Sequence, residues 1–575
     1  MKTTKILRIV STTLFLSVFL SLAGSSFAGP AEFIIININA ANVGFNDPTP
    51  AAPVGGNTGT TLGEQRLIAF TYAASLWSAR LDSNVPIRIR AQFTPLGTGV
   101  LGSAGPRQVF RDFLGAPAAG TWYHVALANK LAGVDLNPAD DDINANFSTN
   151  FNFYLGLDNN HGTQNDLVAV LLHEFAHGLG FSQNANLTTG ALLGDAANGR
   201  FPDAYNTRMF DNAFGKYWPQ LTNAERVTSA TRFGRVVLDS PLLNASVPNV
   251  LVYGSPTVAV NSPTGLAGPL QFGTAAFGPT LGNPNVTAEV VAAVDVIEPA
   301  NPPTVPAAGT TTDGCSPFSN AAAVAGKIVL IERGFCGFAV KARNATDAGA
   351  VGVIIYNQAA NVNAAPPGMA DDGINGAFVT IPTVSVRRAD GLAIIATPPP
   401  GVTASLAIDS TIRAGADALG RARVYAPFPV VSGSSISHFD TAANRNVLME
   451  PAINPDLTHN LKAPDDLTSE FFYDIGWTFP DADGDGVVDD EDCNPNSNRS
   501  ANIIIGGNDS GVPNTLFANG CTMSDVIATL AASAENHGAF VSAIAHLTNG
   551  WAGDGLITGR QKGAIQSAAA RASIP

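Results

Sequence analysis

The sequence predicts an α+β protein of several domains. Its 575 residues are too many for one hydrophobic core, which points to roughly three or four domains. Over residues 31–160, stretches of helical and strand-like periodicity follow one another. From about residue 262 to 415 the composition changes, with Pro and Gly punctuating short apolar runs, so a different domain starts there.

At the start of the chain, Lys2, Lys5 and Arg8 precede an apolar run from Ile9 to Leu22 and the small residues of Ser26-Phe27-Ala28. This is the pattern of a secretory signal peptide, with cleavage expected after Ala28. The run is short for a membrane anchor, and no other stretch is long and apolar enough to span a bilayer. The formal charge is −15, and removing the three positive residues of the leader takes it to −18. An acidic, exported chain is a poor partner for nucleic acid. The expected location is therefore secreted, extracellular or periplasmic. The four cysteines, Cys315, Cys336, Cys493 and Cys521, fall into two pairs close in sequence without a Cys-x-x-Cys spacing. In an exported protein two disulfides are expected.

Taken in order, Phe33-Ile-Ile-Ile-Asn-Ile is strand-like. Residues 60–80 carry Leu62, Leu67, Phe70, Ala73, Leu76 and Trp77 at helical spacing. Val85 to Phe93 alternates and predicts a strand, as does Asn144 to Leu155. Asp140, Asp141 and Asp142 read as a solvated acidic loop. His161 sits in a polar turn and reads as exposed.

The chemistry concentrates in Asp166 to Phe181. Leu167, Val168, Val170, Leu171 and Leu172 form a buried helix with no breaker, which Gly178 and Gly180 end. His173 and His177 are four residues apart, one turn apart on one helix face, where two neutral imidazoles can share a Zn²⁺. Glu174 stands beside them as a general base for a water the metal activates. A buried ionisable triplet without a metal would lose hydration with nothing to offset it. A third ligand is required. From the residues downstream, Asp195, Asp203 and Glu225 are open candidates.

His173-Glu174-x-x-His177-x-x-Gly180 resembles the metzincin zinc metallopeptidases. In that family a third His follows three residues later, a position occupied here by Gln183. Residues 326–357, with Gly326-Lys-Ile-Val-Leu-Ile-Glu-Arg-Gly-Phe-Cys336 and the Ala-rich helix ending at Gly349, resemble a protease-associated (PA) domain, and Ile381-Pro-Thr-Val-Ser-Val continues the match. That resemblance implies a non-catalytic module that helps bind substrate or gates access, with Cys315 and Cys336 bridged inside it. Ser435-Ile-Ser-His438 through Met449-Glu-Pro451 then looks like the displaced third His and Met-turn of leishmanolysin-like metzincins. The resemblance implies that His438 is the third ligand and that Met449 lies beneath the metal. It also implies a catalytic domain split by the PA insertion, with Asp466 to Trp477 as its last helix.

Asp481, Asp483 and Asp485 fall at positions 1, 3 and 5 of a calcium loop, Gly486 at 6, Asp489 at 9 and Asp492 at 12. Phe479-Pro480 replaces an entering helix, so the loop resembles a thrombospondin type 3 repeat. Residues 499–575 read as small and mostly helical, stapled to the loop through Cys493 and Cys521.

The expected organisation is a signal peptide (1–28), a first catalytic segment (29–261), a PA insert (262–415), a second catalytic segment (416–478), a calcium repeat (479–498) and a helical tail (499–575). The expected function is a secreted zinc endopeptidase acting on protein or peptide substrates, with Ca²⁺ as a second cofactor and no stable membrane span after removal of the leader. The alternatives are a secreted, calcium-dependent binding protein on a degenerate peptidase fold, which the intact Glu174 argues against, and a zinc hydrolase with a non-peptide substrate.

Overall fold

A computed structural model describes residues 29–195, 197–297, 309–398, 400–489 and 491–574. The expected signal peptide lies outside the described residues. Residues 29–480 make one compact unit, and the segment from Asp481 onward makes another.

The first unit opens with a four-stranded sheet. Its strands are β1 (Phe33–Asn37), β2 (Ile87–Thr94), β3 (Gly102–Pro106) and β4 (Ile143–Ser148), in the order β1-β2-β4-β3. β1, β2 and β4 are parallel, and β3 runs antiparallel at the edge. Strict alternation in β2 buries Ile87, Ile89, Ala91 and Phe93. Against this face pack the helices α1 (Leu62–Ser78) and α3 (Leu167–Leu179), while α2 (Val125–Ala132) precedes β4. A Thr61/Glu64 capping box starts α1. Phe70, Phe93, Phe147 and Phe175 join helices and sheet through tilted and edge-to-face ring contacts.

Two expectations change here. The strand expected over Asn144 to Leu155 ends at Ser148 and lies inside the sheet, and the edge beside it belongs to β3, Gly-Ser-Ala-Gly-Pro. β3 escapes a pattern search because its small residues answer to the helix beneath: a Cβ on Gly102 would meet the Glu174 Cγ at 2.9 Å. The acidic run is bound rather than solvated. Asp140 pairs with Arg107, Asp141 with Arg88, and buried Asp142 accepts from the Arg88 amide and from Asn129. The run ties β2, β3 and α2 together.

An eight-stranded sheet occupies residues 253–413. Its order is Gly268–Pro269, Tyr253–Ser262, Val402–Arg413, Val286–Ala292, Ile328–Glu332, Gly352–Tyr356, Thr383–Val386 and Phe272–Thr274. The entering strand, Tyr253–Ser262, pairs antiparallel with the leaving strand, Val402–Arg413. The ends of this segment therefore meet, and its length costs the surrounding chain little. Separate apolar cores cover its two faces. On one of them the helix Phe338–Asp347 lays down Ala339, Ala342 and Ala345. Cys315 and Cys336 are bridged, with Cα atoms 5.7 Å apart.

The second unit is not wholly helical. A hairpin, Asn502–Ile505 with Asn508–Pro513, comes before the helices Met523–Ser533, His537–Gly553 and Gly559–Arg571. Phe540, Ile544, Trp551 and Ile565 are in its core. Cys493 and Cys521 are bridged, with Cα atoms 5.5 Å apart. Among the described residues, no helix is long and apolar enough to cross a membrane.

Candidate metal centre

Every residue of α3 is buried, and Asp166 caps its start by accepting from the Val168 amide. Its end is set by Gly180, whose φ of +137° an L side chain adopts only under strain. The chain then returns 261 residues later with His438. His438 Nε2 lies 3.2 Å from the Nε2 atoms of both His173 and His177.

Each imidazole uses its other nitrogen on a backbone carbonyl at 2.7 Å. His173 Nδ1–H donates to Leu448, His177 Nδ1–H to Phe181, and His438 Nδ1–H to Ser434. Those bonds fix the tautomer and aim three lone pairs at one point. Burial lowers all three imidazoles, His173 to about 4, His438 to about 3 and His177 well below its ordinary value, with the neighbouring rings adding to the effect at His177 and His438. They are thus neutral near pH 7. Three buried acceptors facing one another without a donor repel, unless a cation sits between them. Tetrahedral zinc, with Zn–N of about 2.0–2.1 Å, separates its nitrogens by about 3.3–3.4 Å, which these residues fit.

Glu174 is buried beside the triad. Burial pushes its carboxyl up to about 8, opposed by a hydrogen bond from the Ala104 amide of β3. Met449 is fully buried, and its carbonyl accepts from the Phe439 amide, joining the Met-containing turn to the His438 segment. The turn is pinned twice more: Asp466 accepts from the Leu448 amide, and Glu450 from the Val447 amide. Gln183 accepts from the Ala185 amide, and its own amide donates to Ser437. The chain thus brings His438 beside Gln183, three residues beyond Gly180.

Asp195, Asp203 and Glu225 do not join the triad. Asp195 is exposed and binds Asn198, buried Asp203 binds the Asn184 and Asn206 amides, and Glu225 pairs with Lys216. Sequence reasoning missed His459, which contacts Asp166 at 2.7 Å below α3, and the three carbonyls that orient the imidazoles. A lone His and backbone oxygens leave no spacing signal. Asp466 was readable as a helix cap, since it accepts from Thr468, but not as an anchor for the turn.

A cleft of about 550 Å³ opens over the triad, between β3 and residues 432–434 and 451–453. The carbonyl of Leu101 and the amide of Arg107 bond to Ser148 and Asp142 of the sheet. By alternation, the backbone groups of Gly102 and Ala104 face the free edge.

In the second unit, the carboxylates of Asp481, Asp483 and Asp485 come within 4.8 Å of one another. Asp489 and Asp492 stand outside that group. Asp489 accepts from the Ala482 amide and Asp492 from the Asn494 amide.

Residues 286–394 match the PA domain family. Two similar curated proteins share shorter stretches. The human ER degradation-enhancing alpha-mannosidase-like protein 3 is 40% identical over 92 residues, 16% of this chain and 10% of that one. An aminopeptidase of Pseudomonas aeruginosa is 54% identical over 52 residues, 9% of this chain and 10% of its own length. The chain thus spans about a tenth of the curated relatives it matches. Among solved structures, a zinc aminopeptidase from Bacillus subtilis is 22% identical, covering 29% of this chain and 36% of that one at a TM-score of 0.19.

Proposed function

We propose that this chain is a zinc-dependent peptidase of metzincin type that cleaves within peptide chains. The observation that carries the reading is the convergence of three buried Nε2 atoms, each with its Nδ1–H committed to a carbonyl, beside a buried glutamate. His173, His177 and His438 would hold the ion. When bound, zinc supplies a Lewis acid that polarises a carbonyl and acidifies a water. Glu174 takes the proton of the attacking water and returns it to the leaving amine. The backbone groups of Gly102 and the carbonyl of Ala104 pair with an extended substrate, as in strand addition, while the Ala104 amide stays on Glu174. That geometry favours cleavage inside a chain over removal of its first residue. Export rests on the Lys2–Ala28 pattern. A calcium ion at Asp481, Asp483 and Asp485, with Asp489 and Asp492 near it, is part of the same reading, supported by their convergence in a Gly-containing loop.

The test is cleavage of casein and of an N-acetylated peptide by the wild type and by Glu174→Gln. The reading predicts internal cleavage of the blocked peptide and loss of about 10²–10⁴-fold in the variant, with zinc content unchanged. Activity confined to free N-termini would replace the endopeptidase reading with an aminopeptidase. Undiminished activity in Glu174→Gln would remove the proposed base.

A further inference from the structure

Two neighbouring cavities, of about 380 and 450 Å³, lie along the seam between the eight-stranded sheet and the catalytic core. Both are walled by Phe233, Pro256 and Phe272, so they form one groove with two unlike ends. One end is mostly apolar, walled by Leu281, Val384 and Ile408, with Thr274, Thr280, Thr441 and the buried carboxyl of Asp440 at its margins.

The other end carries Arg235, Arg421 and Arg423. Arg421 is fully engaged by Asp417, Asp239 and Asn212. Arg235 and Arg423 are half-buried, and neither forms an ion pair among the described residues. The Arg235 side chain donates to the Ala267 carbonyl, and the Arg423 Nε is buried without a partner. Of the carboxylates in this wall, Asp417 is spent on Arg421 and Asp409 accepts from Thr411. Asp211 and Asp440 influence Arg235 and Arg423 only through space. Two half-buried guanidinium groups therefore have no carboxylate within ion-pair distance, next to a mostly apolar slot, although Asp211 and Asp440 each keep a buried oxygen without a hydrogen bond nearby.

We propose that this groove binds the C-terminus of a peptide ending in an apolar residue, with its carboxylate on Arg235 and Arg423 and its last side chain in the slot. Guanidinium groups take a carboxylate through short, charge-assisted hydrogen bonds. The threonine hydroxyls at the apolar end suit a ligand with amide groups rather than a plain hydrocarbon chain. The groove also touches the catalytic core directly. Asp440 N–H donates to the Arg423 carbonyl, and Tyr425 N–H to that of His438, both at 2.9 Å. A ligand on Arg423 thus sits on the strand pairing that places His438. The binding claim itself does not depend on the peptidase reading.

The experiment is calorimetric titration of the full chain with N-acetyl-phenylalanine, N-acetyl-phenylalaninamide and octanoate, repeated with Arg423→Met and Arg235→Met. The expected result is binding of the acid at least about tenfold tighter than the amide or octanoate, with that preference lost in each arginine variant. Folding of the variants is checked by thermal melting, and either one alone suffices for the comparison. Acid binding that survives both substitutions would place the ligand elsewhere, in the cleft over the histidines, and overturn the proposal. Equal binding of acid and amide, equal binding of octanoate, or no binding by the wild type would overturn it as well.

Discussion

The two candidate cation sites of this chain are built in opposite ways. The histidine site is assembled from two segments 261 residues apart, buried in the core, and oriented by carbonyls from three different loops. The acidic loop takes its carboxylates from neighbouring residues and holds them by their own backbone amides: Asp481 alone accepts from Gly484, Asp485 and Gly486. The first site exists only when the first unit is folded. The second is encoded locally.

The largest effect is expected at Glu174, where Gln should cut peptide cleavage by about 10²–10⁴-fold while zinc stays bound, read by steady-state kinetics and elemental analysis. Next is Asp466→Ala, which releases the turn carrying Leu448 and so the orienting bond of His173. Loss of such an outer partner should weaken zinc binding by about 10–100-fold, measured by competition with a chelator. Unchanged zinc affinity would mean that the turn holds its shape without Asp466.

Asp481→Asn probes the other site. In the wild type, added Ca²⁺ should raise the melting temperature of the second unit, and the variant should abolish that rise without changing zinc content. A rise that persists would remove Asp481 from the site. The smallest effect concerns Glu470, whose carboxyl burial pushes up to about 7. A carboxyl raised in the folded state stabilises fully below its unfolded value near 4.5, and that contribution is lost as pH climbs through about 7. Glu470→Gln should therefore melt higher than the wild type at pH 8 and show a smaller difference at pH 5. Equal differences at both pH values would contradict the shift.

Local chemistry was legible in the sequence, and assembled chemistry only in part. The α3 helix, His173, Glu174 and His177 stand out because one short segment carries both the apolar run and the ligand spacing. The acids and glycine of the 481–492 loop stand out for the same reason. His438 has no such local signal, and it came into view only through the resemblance of its segment to a displaced-ligand metzincin. β3 stayed hidden because close approach of Glu174 selects glycine at position 102, which erases the strand pattern. Asp140, Asp141 and Asp142 were misread because their partners, Arg88, Arg107 and Asn129, lie on other elements. The hairpin at the start of a tail expected to be mostly helical showed no strand alternation, because glycines and asparagines interrupt its short apolar run.

The zinc-peptidase reading turns on His438 completing a site begun at His173 and His177. Its most direct test is the zinc content of the purified wild type and of His438→Ala, measured beside casein cleavage. Stoichiometric zinc is expected in the wild type, with both zinc and cleavage lost in the variant. A variant that keeps its zinc and its activity would contradict it.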